Sequence, residues 1–325
     1  MNILVWHVHG GWMSSFVQGA HRYLLPAKAG EGGRSGYDWP DAAEDTAPES
    51  LRDADVDIVV LQRLEELALT AELLGREPGR DIPAVFVEHN TPKGDVPSSV
   101  HPLADRSDIP VVHVTHFNDL FWDSGRAPTV VIEHGIVDPG PLYTGELAHL
   151  GVVINEPVRR WRVTGTDLIP AFAQVAPVDV FGIAGAELGD RLGLPDRVVH
   201  GGDLRPDQLH AALAARRAYL HPIRWTSLGL SLLEAMHLGM PVITLATTEA
   251  IRAVPPEAGA ISTDVTELVA AARQLLDDPD EARRRGAVAR EVALECYGLE
   301  RFLRRWDEVL EDEVAAFSRR QRQRV

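Results

Sequence analysis

The residues best suited to chemistry lie in one stretch of the second half: Leu220–His221–Pro222, Trp225–Thr226–Ser227–Leu228–Gly229–Leu230–Ser231–Leu232–Leu233–Glu234–Ala235–Met236, then Gly239–Met240–Pro241–Val242–Ile243. A strand ending at Pro222 is followed by a glycine turn that opens a helix near Gly229. A helix N-terminus presents unpaired N–H groups and a partial positive charge, which suits phosphate. Glu234 falls in the first turns, where its carboxylate could reach ribose hydroxyls. The plainer reading is an ordinary strand–helix–strand unit with Glu234 on its surface, and this stretch alone does not separate the two.

A second group lies in the first half. His7, His9, Gly10 and Gly11 follow one apolar run, Glu88, His89 and Asn90 another, His116, Asn118 and Asp119 a third, and Glu133, His134 and Gly135 a fourth. Glycine lets backbone approach a phosphate or sugar closely. Histidine can donate to a developing oxyanion or a sugar hydroxyl. A single histidine is more often structural, but four histidine-bearing loops at one sheet edge favour a functional reading, with His89 and His116 as the candidates. Trp12 is the aromatic best placed to stack on a sugar; Trp39, Phe121, Trp122 and Trp225 read as packing by default. His7 with His9, or His113 with His116, could pair on a metal. No His-Glu-x-x-His helix or cysteine cluster accompanies them, so no metal site is expected.

These residues need a frame. Ile3–Val8, Val56–Leu61, Pro83–Val87, Val111–Val114 and Val130–Ile132 are continuous apolar runs, the pattern of parallel strands covered on both faces. Gly151–Ile154, Val178–Ile183, Arg197–Val199, Ala218–Leu220 and Val242–Leu245 repeat it. Asp207–Arg216 and Ser231–Leu238 read as helices, with Asp207 as an N-cap. The alternation predicts an α/β chain of two Rossmann-like parallel-sheet domains. Ligands of such sheets bind beyond the carboxyl ends of the strands, so the expected site is a cleft between two facing sheets. The breaker Asp138–Pro139–Gly140–Pro141 places the boundary near 146, giving domains 1–146 and 147–325. Gly30 to Pro48 reads as an exposed mobile loop. Phe302, Trp306, Val309, Leu310, Val314 and Phe317 recur at helical spacing and predict a long amphipathic C-terminal helix.

Composition limits the function classes. A chain of 325 residues exceeds one hydrophobic core, and a net charge of −16 disfavours nucleic acid and anionic lipid. Arg319, Arg320, Arg322 and Arg324 at the C-terminus are the exception and could make a weak membrane contact, although a solvated end is the commoner meaning. The single cysteine, Cys296, excludes an intrachain disulfide and reads as packing. No signal peptide and no apolar run of membrane-spanning length is apparent, so the cytoplasm is expected.

The stretch from Leu220 to Ile243 resembles the C-terminal-domain signature of the retaining glycosyltransferases of the GT-B fold (group 1, family 4-like). Gly165–Thr166–Asp167–Leu168–Ile169 with Ala171–Phe172, Val180 to Gly185, Leu204 to Leu209, Tyr297–Gly298–Leu299 and Trp306 are similar to further parts of that domain. The first half matches only in layout. The resemblance implies a nucleotide-diphosphate-sugar donor in the second domain. Glu234 would hold the ribose, and Leu228, Gly229 and Leu230, with Gly185, would lend backbone to the donor. A first-domain histidine, His89 or His116, would lie near the transferred sugar. It also implies retention, no metal or other cofactor, and a glycan, lipid-linked or small-molecule acceptor in polysaccharide assembly. Two departures stand out. Thr226 occupies the place of the family's first glutamate, and Thr164 that of its diphosphate-binding lysine. Arg159, Arg160 or Arg162 could supply the missing charge. The alternatives are a non-catalytic sugar-nucleotide-binding or scaffold protein of the same fold, motivated by Thr226 and Thr164, and a nucleotide-sugar epimerase, disfavoured by Leu233–Glu234–Ala235–Met236.

Overall fold

In a computed structural model, which describes residues 1–28 and 31–324, the chain forms two α/β units. Strand β1 (Asn2–Val5) leads to α1 (Gly10–Phe16), β2 (Arg22–Lys28), the short β3 (Glu31–Gly32) and β4 (Ala43–Thr46). Then come β5 (Ile58–Leu61), α2 (Glu65–Leu74), β6 (Ala84–Glu88), β7 (Val111–His113), α3 (His116–Phe121) and β8 (Thr129–Val131). They build one eight-stranded sheet in the order β3-β2-β1-β5-β6-β7-β8, with β4 beside β2. Every pairing but β2–β3 is parallel. All four residues of β5 and all five of β6 are buried, as continuous apolar runs require when both faces are covered.

The second unit runs through β9 (Leu147–Val153), α4 (Pro157–Thr164), α5 (Ile169–Ala173), β10 (Val178–Phe181), α6 (Leu188–Leu192), β11 (Val198–Gly202) and α7 (Pro206–Ala214). It continues with β12 (Arg216–His221), α8 (Leu230–Leu238), β13 (Val242–Leu245), α9 (Ala250–Ala253), β14 (Gly259–Ser262), α10 (Val265–Asp277) and α11 (Pro279–Tyr297). Its six strands are all parallel, in the order β11-β10-β9-β12-β13-β14. Counted from β9 this is 3-2-1-4-5-6, the doubly wound order whose switch point lies between the first and fourth strands. Here those are β9 and β12. In the first unit the switch falls between β1 and β5.

Several expectations change. The boundary moves: the first unit is Met1–Val137 plus the chain from Leu299 onward, and the second is Asp138–Gly298. The segment after Asp138 is bound into the second unit, because Arg290 pairs with Asp138 and the Tyr143 N–H donates to the Leu238 carbonyl. The C-terminal helix α12 (Leu299–Arg324) rejoins the first unit through its apolar stripe: Trp306 meets Trp12 and Phe16 edge-on, at ring-centroid distances of 5.6 and 5.0 Å. The expected loop from Gly30 to Pro48 holds a strand instead; Gly30 itself lies outside the described residues. Residues Ala43–Thr46 pair with β2, yet only Ala43 among them is buried, so no apolar run announces the strand. The first strand stops at Val5 because β2 and β5 pair with nothing beyond it. Asp207 lies inside α7, whose N-cap is Arg205 and whose first residue is Pro206.

Candidate functional site

In the second unit the carboxyl ends of β9 and β12 bring together α4 and the loop into α8. Gly229 is the N-cap of α8 and no side chain caps that end. A Cβ on Gly229 would stand 2.5 Å from Cε1 of His221, so only glycine lets the turn lie on that ring. His221 is buried, and burial pushes it down to about 4, so it stays neutral beneath the turn. The Tyr219 hydroxyl donates to Ser231 Oγ at 2.9 Å and ties the first turn of α8 to β12. Leu228 is buried, so this residue offers backbone alone, while Leu230 and Thr226 are half-buried. Glu234 lies one turn into α8, with Oε2 3.8 Å from Nε2 of His210 on α7.

The α4 side supplies the cations. Thr164 is fully buried, and its hydroxyl lies 2.9 Å from that of Thr166. Threonine here serves packing, and no charge replaces the family's lysine at that position. Arg159 is held by Glu156 and Arg162 by Asp167. Arg160 makes no side-chain hydrogen bond or ion pair among the described residues. Sequence reasoning missed Arg224. Its Nη2 lies 2.9 Å from Oδ2 of Asp167, and its backbone N–H donates to the Val163 carbonyl at 2.9 Å. A Cβ on Gly165 would fall 1.8 Å from the Pro222 carbonyl oxygen, so α4 and the β12 loop meet backbone to backbone. Gly185, expected at the donor, packs under His200: its Cβ would lie 2.6 Å from the ring.

In the second unit, Glu156 (φ 54°), Ala184 (φ 56°) and Thr248 (φ 48°) are non-glycine residues with left-handed backbone, and each follows a strand's carboxyl end. Such conformations cost of order 1–3 kcal/mol each and gather at functional sites. They mark this sheet edge independently of the helix terminus.

In the first unit the structure gathers three of the four histidine loops. His9 and His89 lie ring to ring at 4.2 Å, and His134 joins them: a charge on it would lower His89, and one on His9 would lower His134. His89 is held well below its ordinary value by burial, then by His9 and His134. Burial takes His134 down to about 4 and, together with Arg63, lowers His9. The trio is therefore neutral at physiological pH. Nδ1 of the buried His134 has no hydrogen-bond partner among the described residues. The other expected candidate, His116, stands exposed at the start of α3, whose N-cap is Thr115. His7 turns elsewhere, packing on Tyr37 and Trp39 with Nδ1 2.9 Å from the Gly33 carbonyl.

One other expectation here is overturned. Trp12 is no sugar platform: it is 1% exposed and stacked on Phe16. Gly10 and Gly11 form the first turn of α1. A Cβ on Gly10 would meet the Tyr37 hydroxyl at 2.3 Å, so the space this glycine leaves is filled by a tyrosine. Trp39 is buried and donates to Ser14 Oγ. Gln62, just past β5, was missed; its Oε1 lies 2.9 Å from Nε2 of His89.

Residues 162–278 match the sequence model of the family described as Glycosyl transferases group 1. No curated protein matches the chain. Among solved structures, Anabaena Alr3699/HepE in complex with UDP shares 16% identity at a TM-score of 0.69, over 96% of this chain and 99% of that one. Sucrose-phosphate synthase from Thermosynechococcus elongatus shares 16% at 0.70, over 97% and 100%. S. aureus TarM, solved with UDP, shares 14% at 0.61; the match covers 78% of this chain and only 55% of TarM. At such identities the likeness is one of fold. The family match lies over the segment that carries Gly185, Gly229 and Glu234, so the second unit is similar to the group 1 glycosyl transferases and the whole chain shares the fold of these solved structures.

Proposed function

We propose that the chain moves a sugar from a nucleotide-diphosphate sugar to an acceptor hydroxyl, with retention and without a metal. The observation that carries this is the end of α8: an N-terminus capped by glycine alone, seated on His221, with Glu234 one turn further in and, on α4, Arg160 without a side-chain hydrogen bond or ion pair among the described residues. Amide N–H groups and a free guanidinium suit a leaving diphosphate, and a carboxylate suits ribose hydroxyls. In the transfer, the bond from the anomeric carbon to phosphate breaks and the bond to the acceptor oxygen forms. The acceptor's proton passes to the departing phosphate. Catalysis is then positioning and charge stabilisation. The neighbours solved with UDP and UDP-glucose favour a uridine donor. The first unit would take the acceptor, a glycan, lipid-linked or small molecule, in the cytoplasm and without nucleic acid. Among the described residues no helix is long and apolar enough to cross a membrane. A weak membrane contact would fall to the exposed Arg319 and Arg322, since Arg320 is tied to Glu313.

The buried Thr164 favours one second reading, a protein that binds sugar nucleotides without turnover. Thermal unfolding of wild type and Glu234→Ala against uridine, guanosine, thymidine and adenosine diphosphates and their sugars tests both. A ligand at 100 times its Kd stabilises by ~2.7 kcal/mol. A shift with one nucleotide that is lost in the variant, followed by sugar transfer or hydrolysis, supports transfer. A shift without any turnover supports the binding protein, and no shift with any nucleotide removes both.

A further inference from the structure

One aromatic ring of the first unit is held in place and yet left open. Tyr37 is 40% exposed, and among the described residues no other tryptophan, tyrosine or phenylalanine is as open to solvent. Trp39 lies beside its ring at 5.0 Å and 34°, and His7 meets it edge to face at 5.0 Å. Its hydroxyl rests on Gly10, where an added Cβ would stand 2.3 Å from the oxygen. The supports are themselves anchored. Trp39 is buried and donates to Ser14 Oγ at 2.9 Å, and His7 donates from Nδ1 to the Gly33 carbonyl at 2.9 Å. The Tyr37 N–H donates to the Arg34 carbonyl at 3.0 Å, and the Arg34 N–H donates to Asp45 of β4 at 2.6 Å. A ring fixed in this way loses little freedom when a ligand lies on it. Its place is also telling. His7 and Gly10 follow β1, which with β5 makes the switch point of the first sheet, and open parallel sheets bind ligands beyond that carboxyl edge. Gly10 directly follows His9, so Tyr37 and the histidine trio flank one turn.

We infer that Tyr37 is the sugar platform of the first unit: a pyranose ring lays its C–H face on the phenol ring, so that the site takes a carbohydrate and not an alkyl chain. The inference rests on the transfer reading for calling that sugar the acceptor. An aromatic face suits the apolar side of a sugar. The Tyr37 hydroxyl makes no hydrogen bond among the described residues, and it can exchange one with a ring hydroxyl of the same sugar. The chain on either side, Ser35–Gly36 and Asp38, is exposed and carries no apolar side chain. This part of the chain therefore offers an apolar surface one ring wide, which fits a sugar face and gives an alkyl chain little area to bury.

The test uses the full-length protein, with and without UDP, and follows methyl glucoside, methyl galactoside and cellobiose by saturation-transfer NMR, with octanol as competitor. In wild type, saturating the aromatic protons should reach the C–H protons of one sugar face most strongly. Tyr37→Ala should weaken saccharide binding by about three- to tenfold, the order of one aromatic contact. Tyr37→Phe, which keeps the ring and its packing, should lose less. Gly10→Ala leaves the tyrosine in the chain but pushes its ring aside, and should weaken binding about as much as Tyr37→Ala. Thermal shifts with nucleotides should be unchanged in all three variants, which separates a lost platform from a damaged fold. Saccharide binding in Tyr37→Ala equal to wild type, displacement of the sugars by octanol, or no saccharide binding by wild type in either condition would overturn the inference. If no nucleotide binds while the saccharide losses hold, the transfer reading fails and the platform stands, so the two failures are distinguishable.

Discussion

His210 on α7 and Glu234 on α8 face one another across neighbouring helices, Nε2 to Oε2 at 3.8 Å, with both side chains largely buried. At that distance the histidine steers the carboxylate without consuming it, and lone pairs remain for a ribose. His210→Ala should therefore weaken nucleotide binding by only two- to fivefold, in the range of a partly exposed pair worth ~0.2–1 kcal/mol. Glu234→Ala should abolish detectable binding. Titration calorimetry with UDP compares them, and equal losses in the two variants would contradict the division of roles.

Arg160 should matter more than its neighbours. Arg159 and Arg162 are engaged by Glu156 and Asp167, whereas Arg160 has no such partner among the described residues. Arg160→Ala should lower diphosphate affinity by about tenfold or more, as the loss of a charged hydrogen bond worth ~1.5–3 kcal/mol implies. Nucleoside monophosphate and nucleoside binding should change less. If Arg159→Ala or Arg162→Ala has the larger effect, the cation has been misassigned.

Trp12→Ala should act on stability and not on sugar affinity. The indole packs against Phe16, Phe302 and Trp306, and thus joins α1 to α12. Removing a buried tryptophan costs about 3–5 kcal/mol. Denaturant unfolding should show the first unit melting early, and an unchanged midpoint with weakened ligand binding would restore the sugar platform.

Stability should fall on mild acidification. Burial takes His113, His134 and His221 each to about 4 in the folded chain, below the ordinary 6.5. Between those values the unfolded chain binds protons that the folded chain refuses, so each histidine removes about 1.4 kcal/mol per pH unit as pH drops. Glu66 opposes them: burial raises it to about 7, and its contribution is lost as pH rises through that value. Three against one leaves a net loss below pH 6.5. Urea midpoints at pH 7.5, 6 and 5 should decline, and a flat series would refute the burial of these imidazoles.

Gly165→Ala should disturb the site more than Gly193→Ala. Both glycines are left-handed, with φ of 69° and 68°, so both substitutions are strained. Only at Gly165 does the added carbon also strike backbone, at Pro222. The first variant should lose nucleotide binding along with stability and the second stability alone, which ligand titration and thermal unfolding together would read.

The sequence alone determined the two parallel α/β units and the end of α8 as the site to examine. Continuous apolar runs such as Ile58–Leu61 and Val242–Leu245 can only be strands buried on both faces, and Gly229 followed by Glu234 is a local pattern of helix start and carboxylate. Local signals of this kind survive folding because neighbours in sequence carry them. What the tertiary structure decided was every question of partner. Trp12 looks like a platform in sequence, yet it became core because α12 returns across the chain to cover it. Gly10 and Gly11 read in sequence as backbone that could approach a ligand, and the fold makes them the first turn of α1 with Tyr37 filling the space beside Gly10. Arg159 and Arg162 look as available as Arg160 until Glu156 and Asp167 are placed beside them. The clearest case is His89. Its Nε2 meets the amide oxygen of Gln62, 27 residues away, and no spacing rule reaches across two strands to find that contact. Charge, tautomer and exposure depend on which groups fold against a side chain, and those contacts are long-range.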